Sequence, residues 1–159
     1  MIFLIVTLIL LSIPIFIKMK LRYKRIYIDT LKEIRFKGIK IYHKKQAADT
    51  GGTYDPTTCV IEIDPKYRYT KEGIFYLLHE YGHYLDHREG RFVWFFNAAN
   101  EEKFSEKKMA EVFEAERSAS KIALREAKLR GLKDCYAVEL DEDEKDYLKV
   151  FYRKHYFID

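Results

Sequence analysis

Three of the chain's five histidines fall within nine residues, HEYGHYLDH, beginning at His79. His79, Glu80 and His83 form the pattern HExxH. On a helix of about 3.6 residues per turn, positions four apart share a face, so both imidazoles can reach one ion. Glu80 sits about 100° round from His79, close enough to act on a water beside that ion without being a ligand. These residue types suit zinc-assisted hydrolysis: two imidazole ligands, a third ligand from elsewhere, an open position and a general base.

A catalytic zinc site takes three protein side chains and leaves the fourth position to water. One class draws a third histidine from HExxHxxGxxH, but here the Gly position holds Asp86 and the final position Glu89, which disfavours that class. The alternative is a glutamate on a later helix. Residues 101–130 have helix-forming composition without Pro or Gly, and Gly131 follows as a C-terminal stop. On a helical wheel Met109, Val112, Phe113, Ala119, Ala123 and Ala127 make one stripe, with Ser120 inside it and Glu116 at its centre. Glu111 and Glu114 point nearly the opposite way, among lysines. A lone carboxylate in an apolar stripe is costly unless an Arg or His partner, or a divalent cation, compensates it. Glu116 is therefore the third-ligand candidate, and Ala119, Ser120 and Ala123 are small enough to let the two helices approach closely.

The elements that position these residues can be read from spacing. A helix is predicted from an N-cap at Thr70 to about Gly90, with Ile74, Leu77, Leu78, Tyr81 and Leu85 on its apolar side and His79, His83 and Asp86 on the other. Upstream, residues 26–38 have helical periodicity (Ile28, Leu31, Ile34) with Gly38 as a stop. IKIYH and TTCVIEID alternate as half-buried strands. ADTGGTYDP between them reads as turn chemistry, with Gly51 and Gly52 supplying positive φ. Two strands suit a small antiparallel sheet, and TTCVIEID is expected to offer an edge to an extended peptide.

At 159 residues and a net charge of +4 the chain fits one domain. Its Lys and Arg are interspersed with Asp and Glu, so no nucleic-acid partner is expected. Residues 2–17, IFLIVTLILLSIPIFI, carry no charge and are followed by Lys18, Lys20, Arg22, Lys24 and Arg25. Sixteen helical residues span about 24 Å against a hydrocarbon core of about 30 Å, a shortfall that bilayer thinning or lysine snorkelling makes up. A cleaved signal peptide would need its positive charge before the apolar run. The predicted organisation is a single-pass anchor over residues 1–25 and a domain over 26–159 that faces the cytoplasm by the positive-inside rule. Cys59 and Cys135 stand far apart with no CxxC pattern and read as free thiols rather than zinc ligands.

HEYGHxxxH followed by a helix bearing ExxAS (Glu116 to Ser120) resembles the gluzincin metallopeptidases, most closely the compact ImmA/IrrE-like group and more remotely the membrane-bound HtpX-like peptidases. Those families carry HExxH and a downstream ExxA[DN], and this chain departs at Ser120, where they favour Asp or Asn. The resemblance covers roughly residues 40–127. It implies an α+β, minimal zincin-like domain in which His79, His83 and Glu116 bind zinc and Glu80 is the catalytic base, acting on a protein or peptide substrate. The principal alternative is a membrane-tethered scaffold on the same fold without activity, since activity depends on the site and not the fold. His87 reads as a surface residue suited to a helix end. Asp86 reads either as an exposed carboxylate or as a partner orienting His83. The aromatic run Phe92 to Phe96 reads as a plug between helices or an interfacial segment, and residues 140–159 as a last amphipathic helix.

Overall fold

The computed structural model describes residues 2–45, 51–93 and 106–132, with side chains described from residue 17 onward in the first helix and from residue 110 in the last. The architecture is α+β: helix α1 (Ile2–Phe36), strands β1 (Lys40–His43), β2 (Gly52–Asp55) and β3 (Val60–Ile63), a 3-10 turn (Pro65–Tyr67), helix α2 (Lys71–Arg88) and helix α3 (Glu106–Leu129). Among the described elements α2 lies centrally, touching α1, α3, β2, β3 and the 3-10 turn.

The carboxyl-terminal half of α1 belongs to the core. Tyr27, Leu31 and Ile34 repeat at three and four residues and are buried, together with Thr30. The helix stops as predicted at Gly38, whose φ of +87° costs an L side chain far more than it costs glycine. Arg35 then donates to the Ile41 carbonyl at 3.1 Å and ties the helix end to β1. The predicted membrane segment falls on residues 2–17, and the side chains of 2–16 lie outside the described residues. Among those described, no helix is long and apolar enough to cross a membrane.

The sheet differs from the expected antiparallel pair. It has three strands in the order β1-β3-β2, with β3 parallel to β1 and antiparallel to β2. The extra strand is Gly52–Asp55, taken from the sequence as part of a turn. Gly51 and Gly52 are not among the glycines of positive φ. They are small because the chain passes close to its neighbours there: a Cβ on Gly51 would lie 2.0 Å from the Tyr76 ring, and one on Gly52 2.7 Å from Ile63 Cδ1. The true reversal is at residues 56–59, where Asp55 accepts from the Thr57 N–H and the Thr58 hydroxyl, and Cys59 takes φ of 52°. Consequently β3, read as an edge, is the central strand, and β2 is an edge of the sheet.

One face of the sheet presents Ile39, Ile41, Ile61 and Ile63 to Ile74, Leu77, Leu78 and Tyr81 of α2, all buried in one cluster. Thr70 caps α2 as predicted, its hydroxyl accepting from Gly73 N–H at 3.0 Å. The opposite face of α2 packs on α3. Gly82 makes this possible, since a Cβ there would lie 2.8 Å from Ala119 Cα, backbone that cannot swing aside. The stripe predicted on α3 is buried at Val112, Ala119, Ala123 and Ala127, with Phe113 half-buried and the Met109 side chain outside the described residues. The helix ends as predicted at Gly131: its N–H donates to Lys128 O, the Leu132 N–H donates to Ala127 O, and Leu132 is itself buried. Arg22 reaches the Gly131 carbonyl at 2.6 Å and Arg130 pairs with Glu33, fastening α3 to α1.

Candidate metal centre

The close passage of α2 over α3 brings the two imidazoles of one helix against the carboxylate of the other. His79 Nε2 and His83 Nε2 are 3.1 Å apart; Glu116 Oε2 lies 3.0 Å from the first and 3.5 Å from the second. Nitrogen and oxygen ligands at about 2.0–2.2 Å from a tetrahedral zinc stand about 3.3–3.6 Å from one another. The observed triangle is that arrangement, slightly contracted. His79, His83 and Glu116 thus form a group that can hold a metal ion. Burial by itself pushes the Glu116 carboxyl up, and the charges and hydrogen bonds of His83 and His79 override it, holding the group well below the ordinary carboxylate range. Positive charge beside the carboxylate is what keeps it anionic there, and with the imidazoles neutral, as ligands must be, a bound cation would have to supply that charge.

The histidines do not behave as solvated residues on an amphipathic helix. His83 is buried and His79 half-buried, because the face read as polar is the one that meets α3. Glu114 points to solvent and Glu111 is half-buried, so among these three glutamates the wheel picked out the one that enters the cluster.

Ser120 lies one turn beyond Glu116, with its hydroxyl 3.2 Å from His79 Nδ1. With Nε2 on a metal, Nδ1–H would donate a hydrogen bond to Ser120 Oγ, which would fix both tautomer and ring orientation. Ser120 thus supplies a neutral oxygen partner for the His79 ring. Ser120→Ala is expected to weaken metal binding by about 10- to 100-fold while leaving the fold intact, read by competition with a chelating dye.

Glu80 is buried beside the triangle. Burial pushes its carboxyl up to about 7; the opposing effects are the His79 charge and a hydrogen bond from the Tyr54 main-chain N–H, while Glu116 adds to the rise. An ionisable carboxyl poised near neutrality next to three convergent donors has the properties of a general base.

No family model, characterised protein or solved structure matches this chain.

Two neighbours behave differently from their sequence reading. Asp86 is fully buried and pairs with Arg91 Nη2 at 2.6 Å, so it is not an exposed carboxylate. It helps hold the turn that leaves α2, where Arg91 N–H also donates to the Asp86 carbonyl. His87 is half-buried rather than free at the surface, its Nδ1 hydrogen-bonded to the Tyr54 hydroxyl at 2.9 Å. Tyr54 itself carried no signal in the sequence, since its strand was masked by the turn-like glycines. Ser120 did carry one, lying i+4 from Glu116 on the same face. Of the aromatic run, Phe92 is half-buried with φ of 51° and Val93 is exposed; Trp94 to Phe96, the predicted helix over 140–159 and Cys135 lie outside the described residues. Cys59 is a free thiol.

Proposed function

We propose that this chain is a membrane-anchored, zinc-dependent metallopeptidase of zincin-like, gluzincin type, whose ligands are His79, His83 and Glu116 and whose general base is Glu80. The observation that carries this reading is the convergence of two imidazoles and one carboxylate from separate helices at ligand spacing, with a buried carboxyl of raised pKa beside them. The donor set of two neutral nitrogens and one anionic oxygen suits zinc better than the all-oxygen surroundings preferred by calcium or magnesium. Zinc held there supplies a Lewis acid that polarises a carbonyl and makes water a competent nucleophile near neutral pH.

The protein's own part is proton handling and orientation. Glu80, ionised at about pH 7 and above, accepts the proton of the attacking water and returns it to the leaving amine, so the same carboxyl serves both halves of amide hydrolysis. Ser120 keeps the His79 ring aimed. The edge of β2 offers the substrate a template. Asp64 N–H donates to Gly51 O across the β2–β3 pair, and by the alternation of an antiparallel ladder the main-chain groups of Gly52 and Tyr54 turn away from β3. The Tyr54 N–H is taken by the Glu80 carboxylate, so the groups left to a substrate strand beside the base are the Gly52 N–H and carbonyl and the Tyr54 carbonyl. An extended peptide laid along β2 would pass the base and the metal ligands.

The membrane assignment rests on the apolar run 2–17 and the basic flank, whose members Lys18, Lys20, Arg22, Lys24 and Arg25 are all exposed on α1. Under the positive-inside rule, this flank supports a domain on the cytoplasmic side.

Purified full-length protein is expected to carry about one zinc by elemental analysis and to cleave a casein-derived peptide. Cleavage should stop with a chelator and return with zinc. Protein that retains no zinc at micromolar free metal would overturn the reading. Zinc retained without cleavage of any peptide in a random library would leave a scaffold.

A further inference from the structure

Tyr54 touches α2 at two points. Its main-chain N–H meets the Glu80 carboxylate, and its hydroxyl is hydrogen-bonded to His87 Nδ1 at 2.9 Å. Glu80 and His87 are seven residues apart, close to two full turns, so they lie on one face about 10 Å from each other along the axis. The tyrosine lies along that face, with its ring edge-on to Tyr84 at 6.1 Å between centroids. The other β2 side chains have no comparable hold, since Thr53 and Asp55 are exposed and Gly52 has none. Farther down the strand, Gly51 and Gly52 are pressed against Tyr76, Ile63 and Glu80. The edge strand is thus seated on α2 by close backbone contact at one end and by a phenol–imidazole bond at the other.

We infer that Tyr54 and His87 are positioning residues, whose hydrogen bond sets the register of β2 on α2 and so keeps the Tyr54 N–H on the Glu80 carboxylate. This deepens the metallopeptidase reading and rests on it for its functional consequence, although the contact itself does not. The phenol suits the task because burial, first, and then the neighbouring Cys59 thiol raise its pKa above the ordinary tyrosine value, so it stays a neutral hydrogen-bonding group. A simple packing role predicts something different. The ring would do the work, and removal of one oxygen would change little.

The test uses the full-length chain, with and without zinc, in four forms: wild type, Tyr54→Phe, His87→Ala and His87→Asn. Amide exchange across 52–55 is read at single-residue resolution beside zinc content and the hydrolysis of a quenched-fluorescence peptide cut from casein. Tyr54→Phe and His87→Ala should each speed exchange at the Tyr54 amide roughly tenfold, the worth of one intramolecular hydrogen bond. Each should lower kcat by a similar factor, with KM and zinc content unchanged. His87→Asn places a polar atom near the former Nδ1 and should recover most of both losses. Tyr54→Phe with wild-type exchange and wild-type kcat would overturn the inference, as would His87→Asn as impaired as His87→Ala. Should the wild type bind no zinc and cut no peptide, the metallopeptidase reading falls, while the exchange measurement still decides whether the contact seats the strand.

Discussion

Glu80→Gln is expected to keep its zinc, lose hydrolysis by about a hundredfold to ten-thousandfold, and make the metal-free protein more stable at pH 8 than the wild type. The first two effects follow from removing a proton acceptor that is not a ligand. The third follows from burial. A carboxyl with a folded-state pKa of about 7, against an ordinary value of 4.5, favours the protonated form in the native state. Below about pH 4 both folded and unfolded chains hold the proton, and nothing is lost. Between 4.5 and 7 the unfolded chain releases its proton first, the native state binds more protons, and stability falls as pH rises. Above 7 the loss is constant at about 3 kcal/mol. Glutamine has no charge to desolvate and can still accept from the Tyr54 N–H. The two proteins, both treated with chelator, should therefore have similar denaturation midpoints near pH 4 and diverge through this window. Parallel curves from pH 4 to pH 8 would show that the carboxylate is solvated and would remove the main argument for its poise near neutrality. A catalytic group that destabilises its own fold is the expected signature of a site kept for chemistry.

The helices and their ends were legible in the sequence because each depends on local chemistry: Thr70 as a cap, Gly38 and Gly131 as left-handed stops, apolar residues at helical spacing. Glu116 was legible for a related reason. A charge inside an apolar stripe contradicts its own pattern, and a contradiction of that kind points to a partner. The sheet was not legible to the same degree. GTYD sets two residue types that disfavour strands, Gly and Asp, against two that favour them, Thr and Tyr, so local propensity does not decide it; its place in the sheet is fixed by tertiary contact, glycines fitting under Tyr76 and against Ile63. Missing that strand had further consequences. It made β3 an edge instead of the centre, and it hid Tyr54, whose two contacts with α2 are 26 and 33 residues distant in sequence. Hydrophobic patterning identified only the face of α2 that meets the apolar core; that a second helix covers its polar face was legible from Glu116 and the small residues Ala119, Ser120 and Ala123, whereas the matching Gly82 on α2 carried no signal of its own.

Glu116→Ala should lower zinc affinity by more than about 100-fold, beyond the range that loss of an outer partner produces, whereas Glu114→Ala should leave it unchanged. The two residues have the same chemistry and lie two positions apart on one helix. Only their direction differs: Glu116 Oε2 stands 3.0 Å and 3.5 Å from the two imidazoles, while Glu114 points to solvent with an Arg117 nitrogen 4.0 Å away. Truncating Glu116 takes the one anionic donor from the triangle and leaves two neutral nitrogens, which cannot by themselves neutralise a divalent ion in a half-buried site. Truncating Glu114 removes a solvated charge and an exposed ion pair, worth about 0–1 kcal/mol of stability and nothing at the metal. Direct titration of both variants with zinc in competition with a chelator of known affinity separates the cases, and cobalt substitution adds a second reading, because loss of a ligand changes the visible absorption of the bound ion. Equal affinities for the two variants would mean that the ion is held by other groups, and the placement of Glu116 between His79 and His83 would then be an ordinary ion pair.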